Sequence, residues 1–552
     1  MLKAEMRGRH YGLGMLSGFP GFPLAAGGTV CYIRAPMRGG LFTRLLCPVL
    51  VIAAGSLPWS VRGQPALTVG TNANVTTAAG GNAEQTIAIN PLNPLNLFED
   101  DTWSVVGRYS LDGGLTWNNS NVSALGVSDG DVSSVFDDFG NLFLVQFTSV
   151  TTLQIVVGLS TNGGASFTLL YETSTRKNDQ PTIVAGPSST PGQGSVWISY
   201  TDSHNNLEVQ GAAVTGLGSV GTFSAAQSPP GSASADFGDI AVGPAGQVMV
   251  VYQSNKTKEG PDTIRANLNA SGPGGSFGAQ SSPTVTQVGG FATIPAQPKR
   301  LIDAEAGLAW DRSGGPFQGR LYLMYTDRAN TNTFDTDIYV RHSDNNGTNW
   351  SAPVRVNDDP AGNGKSQFLP RIALDQTSGY IAVSFYDCRN SAGNNATEFW
   401  AAVSTNGGAS FLPNVKVSAG VSSALAPNVA ATTFDYGDYS GLTFFGGVFY
   451  PCWADNSNST GNNPDGAMSY FDIYTARVTV NTPVVMLNPQ RSGAGFTISA
   501  HTTVGKNYYL ESTPSLPASG WNTVTNATGN GLLRDLTDPA PGVQEFYRIR
   551  VQ

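Results

Sequence analysis

Carboxylates recur at fixed places in this chain, beside short apolar runs rather than within charged stretches. Asp131, Asp179, Asp239, Asp303, Glu305, Asp435 and Asp438 stand just before such runs, and Asp202, Asp327, Asp387 and Asp455 stand just after them. Arg328, Arg371 and Arg389 and the phenols Tyr436 and Tyr439 are set among them. Paired carboxyl groups can cleave a glycosidic bond, one protonating the leaving oxygen and the other serving as base or nucleophile. Oxygen-rich loops can instead hold Ca²⁺, and the pairs Asp335/Asp337 and Asp358/Asp359 add to that stock. A histidine-based metal or nucleophile site is excluded in practice: there are 4 His, and His10 and His501 lie outside the repeated region.

The apolar runs that must position these groups are themselves repeated. Thr182-Ile-Val-Ala-Gly is followed by Val196 to Asp202, Ala306 to Trp310 by Leu321 to Asp327, and Arg371-Ile-Ala-Leu by Ile381 to Asp387. Ser440-Gly-Leu-Thr-Phe is followed by Val448 to Asp455, and looser copies begin at Thr86, Val132 and Ile240. Each unit reads as an apolar strand, a turn, and a second strand ending in an aromatic and a carboxylate. Unit starts fall near residues 84, 129, 178, 236, 303, 365 and 434.

A second motif follows in several units. Ser110 to Trp117 reads SLDGGLTW, and the same eight-position frame returns at Ser160 to Phe167, Ser343 to Trp350 and Ser404 to Phe411. Its third place holds Asp112, Asn162, Asn345 or Asn406, each able to hydrogen-bond its own turn. A glycine two places on tolerates positive φ, and the aromatic (Trp117, Phe167, Trp350, Phe411) opens the next strand and is expected to bury its ring. Degenerate copies end at Phe223 and Phe277, and the last unit has none.

A period near 50 with about four strands per unit predicts an all-β chain, a β-propeller of seven four-stranded blades, or six if the loosest unit is an insertion. No stretch keeps a helical apolar period. The last unit lacks a fourth strand, so the segment around Ala66 to Val69 is expected to supply it and close the ring. The loops into each innermost strand and out of the second share one face, because those strands are antiparallel neighbours. That face gathers the carboxylates and arginines named above. The expected organisation is 1–63 as an over-extended N-terminus and signal peptide, 64–482 as the propeller, and 483–552 as a small β-sandwich with alternating short strands and no motif.

The Ser-x-Asp-x-Gly-x-Thr-Trp turn, iterated in a propeller, resembles the Asp-box (BNR) repeats of the sialidase superfamily. That resemblance implies that the boxes, Ser110 included, are structural and sit on outer hairpins between third and fourth strands. It implies an exo-α-sialidase, a retaining glycoside hydrolase with a tyrosine nucleophile, a glutamate that activates it, an aspartate acid/base and three arginines on the substrate carboxylate. Asp438-Tyr439-Ser440-Gly441-Leu442 resembles the sequence around that nucleophile, in the last blade. By the same resemblance Tyr439, Asp438 and Glu305 (or Glu398) are the catalytic candidates. Arg328, Arg371 and Arg389, with Asp387 and Tyr436, are the substrate-binding candidates. The Arg-Ile-Pro that opens the first blade of sialidases is absent, and Thr86-Ile-Ala stands there. Competing readings make Arg328 and Arg389 salt-bridge partners of Asp327 and Asp387, and Tyr439 a core-facing aromatic. The alternative function is a non-catalytic glycan- or protein-binding propeller stabilised by Ca²⁺; no cofactor is required otherwise.

Met37 to Arg44 is a basic stretch and Leu45 to Ala54 an apolar run of secretory-signal length, so Met37 is the expected start. The formal net charge is −9, and the first 63 residues carry Lys3, Arg7, Arg9, Arg34, Arg38, Arg44 and Arg62 against Glu5 alone. The remainder is therefore more acidic still, which disfavours nucleic acid and anionic membrane as partners. The expected setting is a secreted, cell-surface or periplasmic monomer meeting an extracellular glycan or glycoprotein. Cys388 and Cys452 either pair or remain separate buried thiols. The C-terminal pattern of Tyr508-Tyr-Leu-Glu-Ser, Trp521 and Phe546-Tyr-Arg-Ile-Arg resembles modules appended to secreted bacterial proteins, with a role in attachment or stability.

Overall fold

A computed structural model describes residues 65–552 apart from 103–105, 127–129, 149–152, 177, 255–256, 493–494, 517, 519 and 543. The expected signal peptide and Met37 start lie outside the described residues.

Seven antiparallel four-stranded sheets follow one another along the described chain. Their innermost strands are Ala83–Asn90, Ser133–Phe136, Asp179–Pro187, Ala235–Val242, Gly307–Trp310, Gln367–Asp375 and Gly441–Phe445. Each lies against the next, and the seventh lies against the first, so the sheets form a closed ring. The fourth strand of the last sheet is Ala66–Asn74, paired antiparallel with Asp472–Asn481 from Ala66 opposite Asn481 to Asn74 opposite Tyr474. The ring is thus a seven-bladed propeller closed by its own N-terminal strand.

The second strand of most blades is a largely apolar run because neighbouring blades cover both its faces. Leu142–Phe147 (LFLVQF) is buried at every position. Phe143, Val145 and Phe147 pack toward the third blade, while Leu142 and Leu144 pack toward the first. Full burial of side chains of this size stabilises by about 1.5–3 kcal/mol each.

The repeated box connects third and fourth strands, as between Arg108–Ser110 and Asn118–Asn119. Asp112 Oδ1 accepts the amides of Leu115 and Thr116 at 3.0 and 2.9 Å, and Ser110 Oγ accepts the Gly114 amide at 2.9 Å. Asn162 and Asn406 hold Ser166 and Ser410 in the same way, and Asn345 holds Asn349. Ring burial is less uniform than expected: Phe167 is buried, but Trp117, Trp350 and Phe411 are half-buried. Phe223 and Phe277 of the degenerate copies are buried despite their lost polar frame.

A two-stranded hairpin, Ala292–Ile294 with Gln297–Ile302, intervenes between the fourth and fifth blades and belongs to no repeat. Beyond the ring, two three-stranded sheets form a small sandwich around Phe496, Ile498, Leu510, Leu536 and Tyr547. This module seats on the hairpin of the seventh blade, where the Val504 amide donates to Gly446 O at 3.1 Å. Cys388 and Cys452 are separate, buried free thiols.

Candidate functional site

The loops into the innermost strands share an unusual backbone. Glu84, Asp131, Gln180, Glu305 and Leu369 have φ of 52°, 39°, 45°, 44° and 45°, the left-handed region. The strand register slips beside three of them, between Ala83 and Thr86, Asp179 and Thr182, and Phe368 and Arg371. A left-handed non-glycine residue costs about 1–3 kcal/mol and persists only where its surroundings enforce it. Here bulges in the first, third and sixth blades redirect the ends of their inner strands at the mouth. Gln180 and Glu305 both line the cavity that this creates at the mouth.

That axial cavity has a volume of about 110 Å³ and is walled by Glu305, Arg371, Tyr439 and backbone of the inner strands. Below it a second chamber of about 260 Å³ continues along the axis, and Arg371 lines both. The Arg371 guanidinium lies 3.9 Å from Glu305 Oε1 and 3.9 Å from Asp239 Oδ1, beyond hydrogen-bond length in each case. It is a part-buried cation lining the cavity, with two carboxyls at ion-pairing distance.

Glu305 is three-quarters or more enclosed, with 14% of its side chain exposed. Burial pushes its carboxyl up to about 8; Arg371 opposes the shift, while Asp438, Asp239 and Glu84 add to it. Glu84 is likewise raised to about 8 by burial and by Asp438, against Arg300. It accepts the Thr102 hydroxyl at 3.0 Å and the Asp438 amide at 3.1 Å. Asp131 is buried and accepts the Gln180 amide at 3.0 Å; burial, then Glu84 and Asp179, hold its carboxyl well above the usual carboxylate range. Asp303, raised by burial and by Glu305, accepts the Glu305 amide and fixes its left-handed turn.

Arg300 organises the carboxylates beside the cavity. Its Nε donates to Asp438 Oδ1 at 2.7 Å and its Nη2 to Asp438 Oδ2, with Glu84 Oε1 at 3.3 Å. The hairpin bearing it is tied to the seventh blade: the Lys299 and Arg300 amides donate to Asp435 Oδ2 at 2.7 and 3.0 Å, and Gln297 Nε2 donates to Gly437 O at 2.8 Å. The guanidinium also lies 4.4 Å from the centre of the Phe434 ring.

The residues expected to act together do not all meet. Arg371, Glu305 and Tyr439 share the axial cavity, and Asp438 adjoins them through Arg300 and Glu84. Arg328 is 4% exposed and spends its donors on Gln287 O, Thr333 O and Glu259. Asp327 is not its ion partner; Asp327 caps the Gln287 amide at 2.7 Å. Arg389 is held by Asp387 Oδ2 at 2.8 Å and Asp358 Oδ1 at 2.6 Å and stacks on Trp400 at 4.0 Å. Asp387 is 1% exposed; burial raises it to about 6, and its oxygens face Arg389 and Gln367.

Tyr436 is 0% exposed, with its hydroxyl accepting from Thr397 and Ser422 and its ring packed on Tyr386 and Phe471. No ligand can reach it without unpacking the core. Glu398 binds Asn390, Trp400 and Lys416 and lies in a different network from Tyr439. Tyr439 is half-buried, and its hydroxyl accepts the Val132 amide at 2.9 Å and donates to Val132 O at 3.3 Å. Desolvation, Asp131 and Glu84 drive its phenol far above the ordinary tyrosine value, the reverse of what an attacking tyrosinate requires.

Sequence reasoning missed Glu84 and Arg300. Glu84 precedes Thr86-Ile-Ala as Asp131 precedes the second inner strand, so the repeat carried its signal. Arg300 lies in the non-repeated hairpin and had none. Among the described residues, no group of three or more His, Cys, Asp or Glu is arranged to hold a metal ion. No described helix is long and apolar enough to cross a membrane.

Comparison with known proteins gives no matching protein-family model and no matching curated protein. Among solved structures, a protein of unknown function from Dyadobacter fermentans is similar over 75% of this chain and 99% of its own, at 9% identity and TM-score 0.39. The GH93 α-L-arabinofuranosidase of Fusarium graminearum, solved with arabinobiose, is similar over 57% and 92%, at 11% identity and TM-score 0.38. The six-bladed Aleuria aurantia lectin, with its fucose recognition mode, is similar over 60% and 96%, at 12% identity and TM-score 0.36.

Proposed function

We propose that the protein is an extracellular glycan-acting propeller, a glycoside hydrolase that works with mouth carboxyls. One observation carries the reading: Glu305, raised to about 8, faces the axial cavity beside an Arg371 guanidinium that makes no hydrogen bond among the described residues. A carboxyl still protonated near neutral pH is what a general acid for a glycosidic oxygen requires. Asp438, fixed by the Arg300 fork, is the partner carboxylate that acts as base or nucleophile. Arg371 orients the sugar through its unused donors.

Exo-sialidase chemistry has weaker support. It asks for Arg328, Arg371 and Arg389 around one carboxylate, and two of these are spent on other partners. Glycan binding without turnover is the second reading, favoured by the closed Tyr439–Val132 contact and the carboxyl excess at the mouth. A Ca²⁺ requirement belongs to that reading and is tested by melting with and without chelator.

The deciding experiment is a panel of neutral and acidic fluorogenic glycosides, an α-sialoside included, with wild type and Glu305→Gln. At least one aglycone is released by wild type, and the variant loses roughly 10²–10⁴-fold. Binding on a glycan array without release from any substrate selects the second reading.

A further inference from the structure

The far end of the axis holds a feature that the mouth chemistry does not use. Asp138, Arg312 and Phe445 line the lower chamber and also a cavity of about 370 Å³ below it. The other wall of that cavity is the C-terminal module, which contributes His501, Leu532 and Leu533. Its size falls within the range of about 300–1,000 Å³ usual for small-molecule sites.

Arg312 is the informative residue. Its Nη1 donates to Val242 O at 2.9 Å, and this is its one side-chain hydrogen bond among the described residues. No described carboxylate lies within ion-pairing distance of it. Burial pulls the guanidinium below its ordinary value, with Asp138 and Asp311 opposing at longer range. A guanidinium cannot shed its proton, and this part-buried one keeps four N–H donors open to a ligand or to solvent. Its backbone is locked: the Arg312 amide donates to Gln376 Oε1 at 2.8 Å, and Gln376 in turn donates to Trp310 O at 2.9 Å. His501 is exposed on the facing module, with no side-chain partner among the described residues. Leu532 and Leu533, 47% and 43% exposed, give that wall an apolar face alongside Phe445.

We propose that this junction is a second ligand site, taking a sugar-sized organic anion. The oxyanion sits on Arg312 and His501. The C–H face of the ring lies on Phe445, Leu532 and Leu533, and Asp138 at the exposed rim accepts a hydroxyl. A uronic acid and a sugar phosphate each carry an anionic oxygen group, carboxylate or phosphate, on the same kind of sugar body. The proposal is independent of hydrolysis at the mouth, since it uses none of Glu305, Asp438 or Arg371.

Calorimetric titration of the full chain with glucuronate, glucose 6-phosphate and glucose separates the sources. At least one anion binds with unit stoichiometry and glucose does not. Arg312→Met and, separately, His501→Ala each weaken binding at least about tenfold, and Glu305→Gln leaves it unchanged. Should Arg312→Met fail to fold, the exposed His501→Ala decides. Absence of binding by both anions, equal binding of glucose, loss of binding in Glu305→Gln, or full retention in His501→Ala overturns the site.

Discussion

Arg300 grips both oxygens of Asp438, 138 residues further along the chain, and so joins the hairpin between the fourth and fifth blades to the mouth of the seventh. The fork fixes the orientation of the carboxylate as well as its charge, which a single point charge would not do.

Arg300→Met is therefore expected to lower stability by roughly 2 kcal/mol, the scale of charge-assisted hydrogen bonds, and to abolish turnover. Arg300→Lys keeps the charge and restores much of the melting temperature but little of the activity. Equal activity in the lysine variant and wild type would show that fork geometry is irrelevant.

Stability should fall as pH rises across neutrality. Glu84 and Glu305 move from 4.5 to about 8 on folding, so the folded protein keeps protons that the unfolded chain releases above about 4.5. Their contribution is fully present below that value and is lost as pH climbs through about 8. Asp387, moving from 3.8 to about 6, acts in the same direction over a lower window. Scanning calorimetry should show the melting temperature declining through this window, and Glu84→Gln should flatten the decline.

Tyr439→Phe separates the two catalytic schemes. Removing a hydroxyl that only bridges the Val132 backbone costs about 1–2 kcal/mol and reduces turnover less than about tenfold. A nucleophile's loss would instead end covalent turnover. Steady-state rates and a melting curve on the same sample distinguish these outcomes.

Ring closure is testable through its clasp. Deleting the chain through Asn74 removes the fourth strand of the last blade and exposes the edge of Asp472–Asn481. The expected result is a large drop in melting temperature and concentration-dependent association by light scattering. Adding the missing strand as a peptide should recover part of both.

The fold was legible because its signals are local and repeated. The box writes its own turn through Asp112 and Ser110, and apolar runs such as Leu142–Phe147 declare strands covered on both faces. Even the closing strand was readable, as a vacancy in the last unit. The site was less legible because side-chain direction depends on bulges that sequence spacing does not reveal. Tyr436 and Tyr439 are three residues apart, yet one ring fills the core and the other lines the axis. Arg328 and Arg389 each lie one or two residues after an aspartate, yet only Arg389 pairs with it; their other partners are set by the loop at Glu259 and the pair Asp358/Trp400. Arg300 comes from an insertion, outside any period.

The strand Ala66–Asn74 also sets a schedule. Asn74 Nδ2 donates to Asp472, 398 residues later, and the two strands cannot pair until both have been made. At about 5–20 residues per second of synthesis, the early strand waits tens of seconds while six blades assemble beside it. During that interval its polar, half-exposed sequence ALTVGTNAN offers little for other chains to adhere to. The last bond to form in the ring is thus the one between its oldest and its youngest blade strands.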